Sequence, residues 1–291
     1  MTRILTRLAL ASLLAAALAL PAAAQSLPAH KDQLFAYPPT ISTEAGGAYR
    51  VVAYDEVRDI NGRDEVPERR AHARYVSLGV RRNQADLTVQ TPAGSVRHVA
   101  VGRREGARLI VVYLHGQGGS RSQGVNDYSF GGNFNRIKNL VAQAGGVYLS
   151  PDFSDFGAKG AAEIAGLINA YAAASPRAPV FIACGSMGGA LCWRLARDPS
   201  VAPRLGGLLL LGSMWDDQFT SSEAFKRRVP VFIGQGSRDK VFPVDRMESF
   251  FRGLRSRGYP VKMVRFETGS HGTPIRMTDW RETINWMLSA R

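Results

Sequence analysis

A serine lies between an apolar run and a helical pattern, within the segment ACGSMGG at residues 183–189. Residues 179–183 are typical of a buried strand, and residues 187–196 have the spacing of a helix. A serine on so tight a strand-to-helix turn takes up strained backbone geometry, and small residues two positions before and after it let the turn close. Cys184 stands at the first of these positions, where the strict pattern has glycine. The exposed Ser186 hydroxyl is therefore a candidate nucleophile.

A glycine-rich loop, HGQGG at residues 115–119, directly follows the continuous apolar run LIVVYL at residues 109–114. Such a loop can turn a backbone N–H towards the serine. Together with the N–H that follows the serine, it would bind an oxygen that becomes negatively charged during a reaction. The two predicted donors are the backbone N–H groups of Gln117 and Met187. A phosphate-binding loop is the alternative, but the segment lacks the Gly-Lys-Ser/Thr ending and the spacing of a dinucleotide motif.

Two further polar motifs come after apolar runs, one with an acid and one with a histidine. They are GSRDKVFP at residues 236–243 and GSHG at residues 269–272. A serine nucleophile needs a base, and the base needs a carboxylate that orients it. His271 is the candidate base, because it lies in a glycine-flanked loop after a predicted strand. Asp239 is the candidate orienting acid, with Asp216 and Asp217 as the alternatives.

These motifs need a scaffold that brings the ends of several strands together. Apolar runs alternate with helical patterns along most of the chain. The predicted strands are residues 49–54, 86–90, 96–101, 109–114, 146–150, 179–183, 205–211, 229–234 and 261–266. The predicted helices are residues 134–144, 158–174, 187–196, 244–257 and 274–288. The pattern predicts an α/β fold, with a mostly parallel central sheet and helices on both faces, whose motifs gather at the carboxyl ends of the strands.

In their order and placement, HGQGG, CGSMGG, GSRDKVFP and GSHG make residues 100–291 resemble the α/β-hydrolase superfamily. The resemblance implies the α/β-hydrolase fold and acyl-enzyme chemistry without a cofactor. Ser186 would be the nucleophile, His271 the base and Asp239 the acid. Residues 212–228 leave little room for a helical lid, which favours a compact esterase, thioesterase or dienelactone-hydrolase-like protein over a lipase. Dienelactone enzymes use a cysteine nucleophile, whereas this chain has serine.

The predicted reaction is hydrolysis of a carboxylic ester, and the predicted partner is a small-molecule or acyl-ester substrate. Met214, Trp215 and Phe242 fall at or just after strand ends and are candidates for an apolar pocket, although each could equally belong to the core. The alternatives are a peptidase, amidase or thioesterase on the same scaffold, or a binding protein of this fold without activity. No metal site is predicted, because no group of cysteines and histidines has ligand spacing.

The N-terminus has the features of an export signal. Two arginines precede residues 8–20, an apolar run too short to span a bilayer comfortably, and three alanines then form a small-residue cleavage site. We expect cleavage after Ala24 and a periplasmic or secreted product without stable membrane insertion. An uncleaved anchor is the alternative. Residues 1–24 are thus the predicted signal peptide, residues 25–48 a loose lead-in, and residues 49–291 a single catalytic domain. The role of residues 49–104 beyond first strands stays open.

Charge sets limits on the partners. The chain has 37 lysines and arginines against 24 acids, a net charge of +13. The basic residues are interleaved with acids, as in residues 55–70, and no basic stripe with aromatic residues occurs, so nucleic acid is not a predicted partner. Weak attraction to an anionic envelope surface is a secondary expectation.

The two cysteines, Cys184 and Cys192, lie eight positions apart. Export would permit a disulfide. Because a bridge here would close a very small loop under demanding geometry, two buried free thiols are predicted.

Overall fold

The computed structural model describes residues 26–66 and 69–290. The predicted signal peptide and its cleavage site therefore lie outside the described residues. The strands are β1 (Thr40–Glu44), β2 (Tyr49–Ala53), β3 (Asp64–Glu65), β4 (Arg70–Ala71), β5 (Gln84–Thr91), β6 (Gly94–Gly102), β7 (Ile110–Leu114), β8 (Val147–Pro151), β9 (Val180–Ser186), β10 (Leu205–Ser213), β11 (Val231–Gly236) and β12 (Val261–Glu267). The α-helices are α1 (Asp32–Phe35), α2 (Asn133–Gln143), α3 (Ala158–Ala174), α4 (Gly189–Arg197), α5 (Glu223–Lys226), α6 (Val244–Arg255), α7 (Thr273–Met277) and α8 (Trp280–Ser289).

Ten of the strands form one sheet in the order β1-β2-β12-β11-β10-β9-β7-β8-β6-β5. The seven neighbours from β2 to β8 pair in parallel. The outer strands β1, β6 and β5 pair antiparallel with their neighbours. The sheet is thus mostly parallel, as predicted. The carboxyl ends of β7, β9, β11 and β12 consequently meet at one edge, where the four sequence motifs begin.

Both faces of the sheet are covered, which explains why its central strands β7, β8, β10 and β11 are mostly apolar and buried at every position. All five residues of β7 are buried. Ile110, Val112 and Leu114 pack into one core with α3, α4 and α6. Val111 and Tyr113 pack into a second core on the opposite face, with α2 and α8. The predicted helices and strands agree with the observed ones to within three residues at either end, except for the last helix.

The closing helix was predicted as one element over residues 274–288, and that prediction is wrong. The chain forms two helices, α7 and α8, because Asp279 begins a new one. Its side chain accepts hydrogen bonds from the N–H groups of Arg281 and Glu282, as an N-cap does. The apolar face of the two helices continues across the break, so spacing alone does not reveal it.

The lead-in over residues 25–48 is not loose where the structure describes it. Leu27 is fully buried, and Phe35 at the end of α1 packs on Tyr75. Strand β1 pairs antiparallel with β2 and extends the sheet at one end. Two apolar anchors and one edge strand therefore attach this segment to the domain.

The prediction of free thiols is also wrong, because Cys184 and Cys192 form a disulfide. Strand β9 runs on to Ser186 and α4 begins at Gly189, so the chain reverses within two residues. The helix folds back on the strand and brings the two Cα atoms to 6.4 Å, inside the range that a disulfide spans. None of the helices in the described ranges combines the length and apolar character that a bilayer crossing requires.

Candidate active site

Ser186 is the last residue of β9 and adopts a left-handed backbone conformation, with φ of 50°. This conformation is strained for a residue with a side chain and costs about 1–3 kcal/mol. The turn is held from two sides. The Gly188 N–H donates to the Gly185 carbonyl at 2.9 Å, and the Ser213 hydroxyl donates to the Ser186 carbonyl at 2.6 Å. The strained elbow predicted from the sequence is present.

The three predicted side chains form one hydrogen-bonded chain. His271 Nδ1 lies 2.9 Å from Asp239 Oδ2, and His271 Nε2 lies 2.9 Å from Ser186 Oγ. An ionised carboxylate can only accept, so the proton on the ring belongs on Nδ1. Nε2 is then free to accept the hydrogen of Ser186. The His271 side chain is 32% exposed, whereas that of Asp239 is fully buried, so the chain runs from the interior to the surface.

Asp239 lies in a closed polar socket. Its Oδ1 accepts the backbone N–H groups of Val241 and Phe242 at 2.8 and 3.0 Å. Its Oδ2 accepts from Gln235 Nε2 at 2.9 Å as well as from His271. Burial acts to raise the pKa of Asp239, but the hydrogen bonds from His271 and from the backbone outweigh it, and the pKa is lowered. The carboxylate is thereby kept ionised beside the imidazole.

The glycine-rich loop passes directly over Ser186. A Cβ added to Gly116 would lie 2.7 Å from Ser186 Cβ, so no larger residue fits there without displacing the loop. Among the described residues, neither the Gln117 N–H nor the Met187 N–H donates a backbone hydrogen bond. Both predicted donors thus belong to segments that flank Ser186.

Of the three predicted pocket residues, one contacts the hydrogen-bonded chain. The ring centre of Phe242 lies 5.8 Å from that of His271. Met214 packs beside Gly189 at the start of α4 and accepts a hydrogen bond from Trp193 at its carbonyl. Trp215 instead lines a separate cleft along α6, with the Arg246 guanidinium 4.7 Å from its ring centre.

The alternative acids are placed elsewhere. Asp216 forms an ion pair with Arg197, and Asp217 is exposed to solvent. Neither is a hydrogen-bond partner of His271, whose carboxylate partner is Asp239. The choice of Asp239 from the chain order agrees with this geometry.

His115 lies outside the hydrogen-bonded chain. Its Nδ1 lies 2.8 Å from the Gly116 carbonyl, and its ring stacks on Phe153 with centres 4.2 Å apart. Burial lowers the pKa of His115, which favours the neutral ring. A Cβ on Gly119 would meet the same ring, so His115 is the surface against which the glycine-rich loop packs.

The sequence did not reveal the residues that support the site through buried hydrogen bonds and ion pairs. Gln235 is fully buried and joins Asp239 to the Phe242 carbonyl. The sequence feature that could have revealed Gln235 is a polar residue inside the otherwise apolar strand β11. Arg276, on the helix that begins two residues after His271, forms a buried ion pair with Asp64 at 2.7 Å. That pairing joins positions 212 residues apart and leaves no local pattern.

No metal site accompanies these residues: within residues 26–66 and 69–290, no group of three or more His, Cys, Asp or Glu side chains could hold an ion.

The order of the strands and the position of this site define the α/β-hydrolase fold, and solved structures agree. A protein of unknown function from Agrobacterium tumefaciens, proposed to be an α/β-hydrolase, matches with a TM-score of 0.56 at 16% identity, over 70% of this chain and 95% of its own. An esterase from Pyrococcus furiosus matches with a TM-score of 0.51 at 15% identity, over 71% of this chain and 91% of its own.

A lidless α/β serine hydrolase from Xanthomonas campestris matches with a TM-score of 0.50 at 14% identity, over 71% of this chain and 94% of its own. No family model and no curated protein matches the sequence. At these identities the likeness establishes the fold.

Proposed function

We propose that this protein is a serine hydrolase that cleaves carboxylic esters through an acyl-enzyme. The observation that carries the proposal is the hydrogen-bonded chain Ser186–His271–Asp239, with two contacts of 2.9 Å. The strained backbone of Ser186 at the edge of the sheet supports it, because this geometry presents the hydroxyl to a substrate. The esterases and serine hydrolases among the similar structures agree with this chemistry.

In the proposed acylation step, Ser186 Oγ attacks the ester carbonyl carbon while its proton passes to His271 Nε2. The carbonyl oxygen becomes negatively charged and accepts the N–H groups of Gln117 and Met187. Asp239 holds the imidazole with Nδ1 protonated and stabilises the imidazolium that forms. Collapse of the intermediate breaks the bond to the alcohol oxygen, which takes the proton from Nε2 and leaves.

Water completes the proposed cycle. The water oxygen attacks the carbonyl carbon of the acyl group bound to Ser186, while His271 takes one proton from that water. Collapse then releases the carboxylic acid and returns the proton to Ser186 Oγ. The His271 side chain is 32% exposed, which lets water approach the ring, and the only α-helix described between β10 and β11 is the four-residue helix α5.

We also propose that the enzyme is exported, to a periplasmic or secreted location. Residues 1–24 have the composition of a cleaved signal peptide. The disulfide Cys184–Cys192 supports this location independently, since disulfides persist in oxidising compartments. A small molecule or acyl ester is the proposed substrate, and weak attraction to anionic envelope surfaces is proposed from the net charge alone.

The test uses the mature protein, Ser186→Ala and the matched control Ser249→Ala, a serine exposed on α6. All three are assayed with p-nitrophenyl esters of increasing acyl length. We expect the wild type and the control to turn over esters equally, and Ser186→Ala to show no enzymatic rate. A folded wild type without turnover of any ester would contradict the proposal. Activity towards peptides or amides instead of esters would favour the alternative of a peptidase or amidase.

A further inference from the structure

A second concave surface, which we call the basic cleft, lies beside the segment between β7 and α2. It has a volume of about 640 Å³, and Arg69, Arg70 and Arg81 line it. Asp127 is the one carboxylate among the described residues that line it. The remaining lining side chains are mostly neutral hydrogen-bonding groups, among them Ser122.

Neighbouring side chains largely neutralise the charge of Asp127. Lys138 is fully buried, and its Nζ lies 2.7 Å from Asp127 Oδ1. Asn135 donates to the same oxygen at 2.5 Å, and Arg81 Nε lies 2.6 Å from Oδ2. Because a buried lysine already pairs with this carboxylate, the three arginines keep an excess of positive charge at the cleft surface.

Arg69 and Arg70 have no ion pair with any carboxylate that the structure describes. The guanidinium carbon of Arg70 lies over the ring of Tyr128, 3.2 Å from the ring centre. This cation–π contact attracts the guanidinium to the ring and uses none of its N–H donors. Arg69 and Arg70, which pair with no carboxylate among the described residues, thus line one concave surface.

The wall of the basic cleft is anchored on the candidate active site. Ser122 and Tyr128 belong to the segment that begins with Gly116, which contacts Ser186. Further along the same segment, Phe130 lies next to Gly272, because a Cβ added to Gly272 would lie 3.6 Å from the Phe130 ring. One loop therefore joins the basic cleft to the candidate active site. The start of this loop contacts Ser186, and its end contacts Gly272, the residue after His271.

We propose that the basic cleft binds an oxyanion group, a carboxylate or a phosphate, carried by the ester substrate, so that negatively charged esters are preferred. The inference rests on the proposed ester hydrolysis and names its substrate class. Guanidinium groups bind carboxylate and phosphate oxygens through paired, charge-assisted hydrogen bonds. A concave site with neutral donors around the arginines suits one compact anion better than the plane of a membrane.

The first arm of the test compares Arg69→Gln/Arg70→Gln with Arg177→Gln/Arg204→Gln. The control arginines line another cleft, next to the amino ends of β9 and β10 at the opposite edge of the sheet. The substrates are p-nitrophenyl butyrate and the p-nitrophenyl half-ester of glutaric acid. We expect the first variant to raise KM for the charged ester about ten-fold, with the KM of the neutral ester unchanged. The control should change neither.

The second arm measures binding without turnover. Calorimetry with Ser186→Ala, alone and combined with the Arg69→Gln/Arg70→Gln substitutions, uses glutarate and inorganic phosphate as separate probes at low and high salt. We expect binding that weakens with salt and is lost in the combined variant, and the tighter probe identifies the group. If no ester is turned over while this binding persists, the proposal of ester hydrolysis fails, but the basic cleft is still an anion-binding site.

Equal KM ratios in all three proteins, or no arginine-dependent binding of either probe, would overturn the inference. Vesicles of phosphatidylglycerol and phosphatidylcholine provide the remaining comparison. Loss of vesicle binding in Arg69→Gln/Arg70→Gln, with an unchanged KM for the charged ester, would assign the arginines to a membrane surface and also overturn it.

Discussion

Two buried carboxylates have basic partners at or next to α7, and the two partners differ in exposure. The Asp239 side chain is fully buried, but its partner His271 is 32% exposed and contacts a hydroxyl beyond it. The Asp64 side chain is also fully buried, but its partner Arg276 is only 9% exposed. An imidazole nitrogen next to a hydroxyl can accept its proton, whereas a guanidinium has no acceptor atom and can only donate hydrogen bonds.

In the proposed mechanism, the Asp239–His271 pair takes part in the reaction, whereas the Asp64–Arg276 pair supports the fold. Arg276 also donates to the Asp59 carbonyl, and the neighbouring Arg63 is buried close to it. Burial, and then the charge of Arg276, lower the pKa of Arg63 to about 10. These groups attach the N-terminal segment to the helix that follows His271. We therefore expect changes on the Asp239 side to affect rate and changes on the Asp64 side to affect stability.

The largest effect is expected from His271→Ala. Because the base and the nucleophile act as a unit, kcat for an ester should fall about a million-fold, close to the loss caused by removing Ser186. Thermal unfolding should stay near that of the wild type, since the ring is partly exposed. Ester kinetics with a melting curve on the same sample make the measurement. Retention of a tenth of the activity would remove His271 from the proposed mechanism.

A smaller loss is expected from Asp239→Asn, matched with Asp216→Asn. An amide can donate to Nδ1 and so favours the wrong tautomer of His271, which should lower kcat about 10⁴-fold. Asp216 pairs with Arg197 instead, so its amide variant should keep wild-type kcat. Steady-state kinetics of the two variants side by side sharpen the comparison. Equal losses in both would mean that general charge, and not the contact with His271, is responsible.

Asp64→Ala tests the supporting side of the comparison. Removal of a partner leaves Arg276 buried without its carboxylate, which should lower the free energy of unfolding by about 3–5 kcal/mol. The activity of the protein that remains folded should stay within about three-fold of the wild type. Urea denaturation and ester kinetics on the same preparation give both numbers. A large loss of rate with unchanged stability would place this pair in the chemistry.

The disulfide beneath the elbow should give the smallest effect. Cys184→Ala/Cys192→Ala removes a covalent ring around Ser186 and should lower the free energy of unfolding by about 2–3 kcal/mol. Thiol titration of the denatured, unreduced wild type checks the bond itself and should find none of the two cysteines free. Two free thiols per chain, together with an unchanged melting temperature in the variant, would contradict the bridge.

The residues of the candidate site were predictable from the sequence because each lies in a local motif. Ser186, Asp239 and His271 each follow an apolar run, and a parallel sheet brings the ends of such runs to one edge. The support was not predictable for the opposite reason. Arg276 and Asp64 pair across 212 residues, and nothing in either local pattern names the other.

Two local errors have equally specific causes. The sequence predicts a free thiol at Cys192 because a separation of eight residues would close a very small loop. The sharp reversal at the elbow brings Cys192 to Cys184. The break before α8 was missed because the apolar spacing continues through Asp279, whose capping role depends on its side-chain contacts.

The most direct test of the central claim is to map the adduct of a fluorophosphonate probe by peptide mass spectrometry, in the wild type and in His271→Ala. We predict a single adduct on Ser186 in the wild type and almost none in the variant, because the hydroxyl then has no base. An adduct on another residue, or labelling of Ser186 at the wild-type rate without His271, would contradict the account.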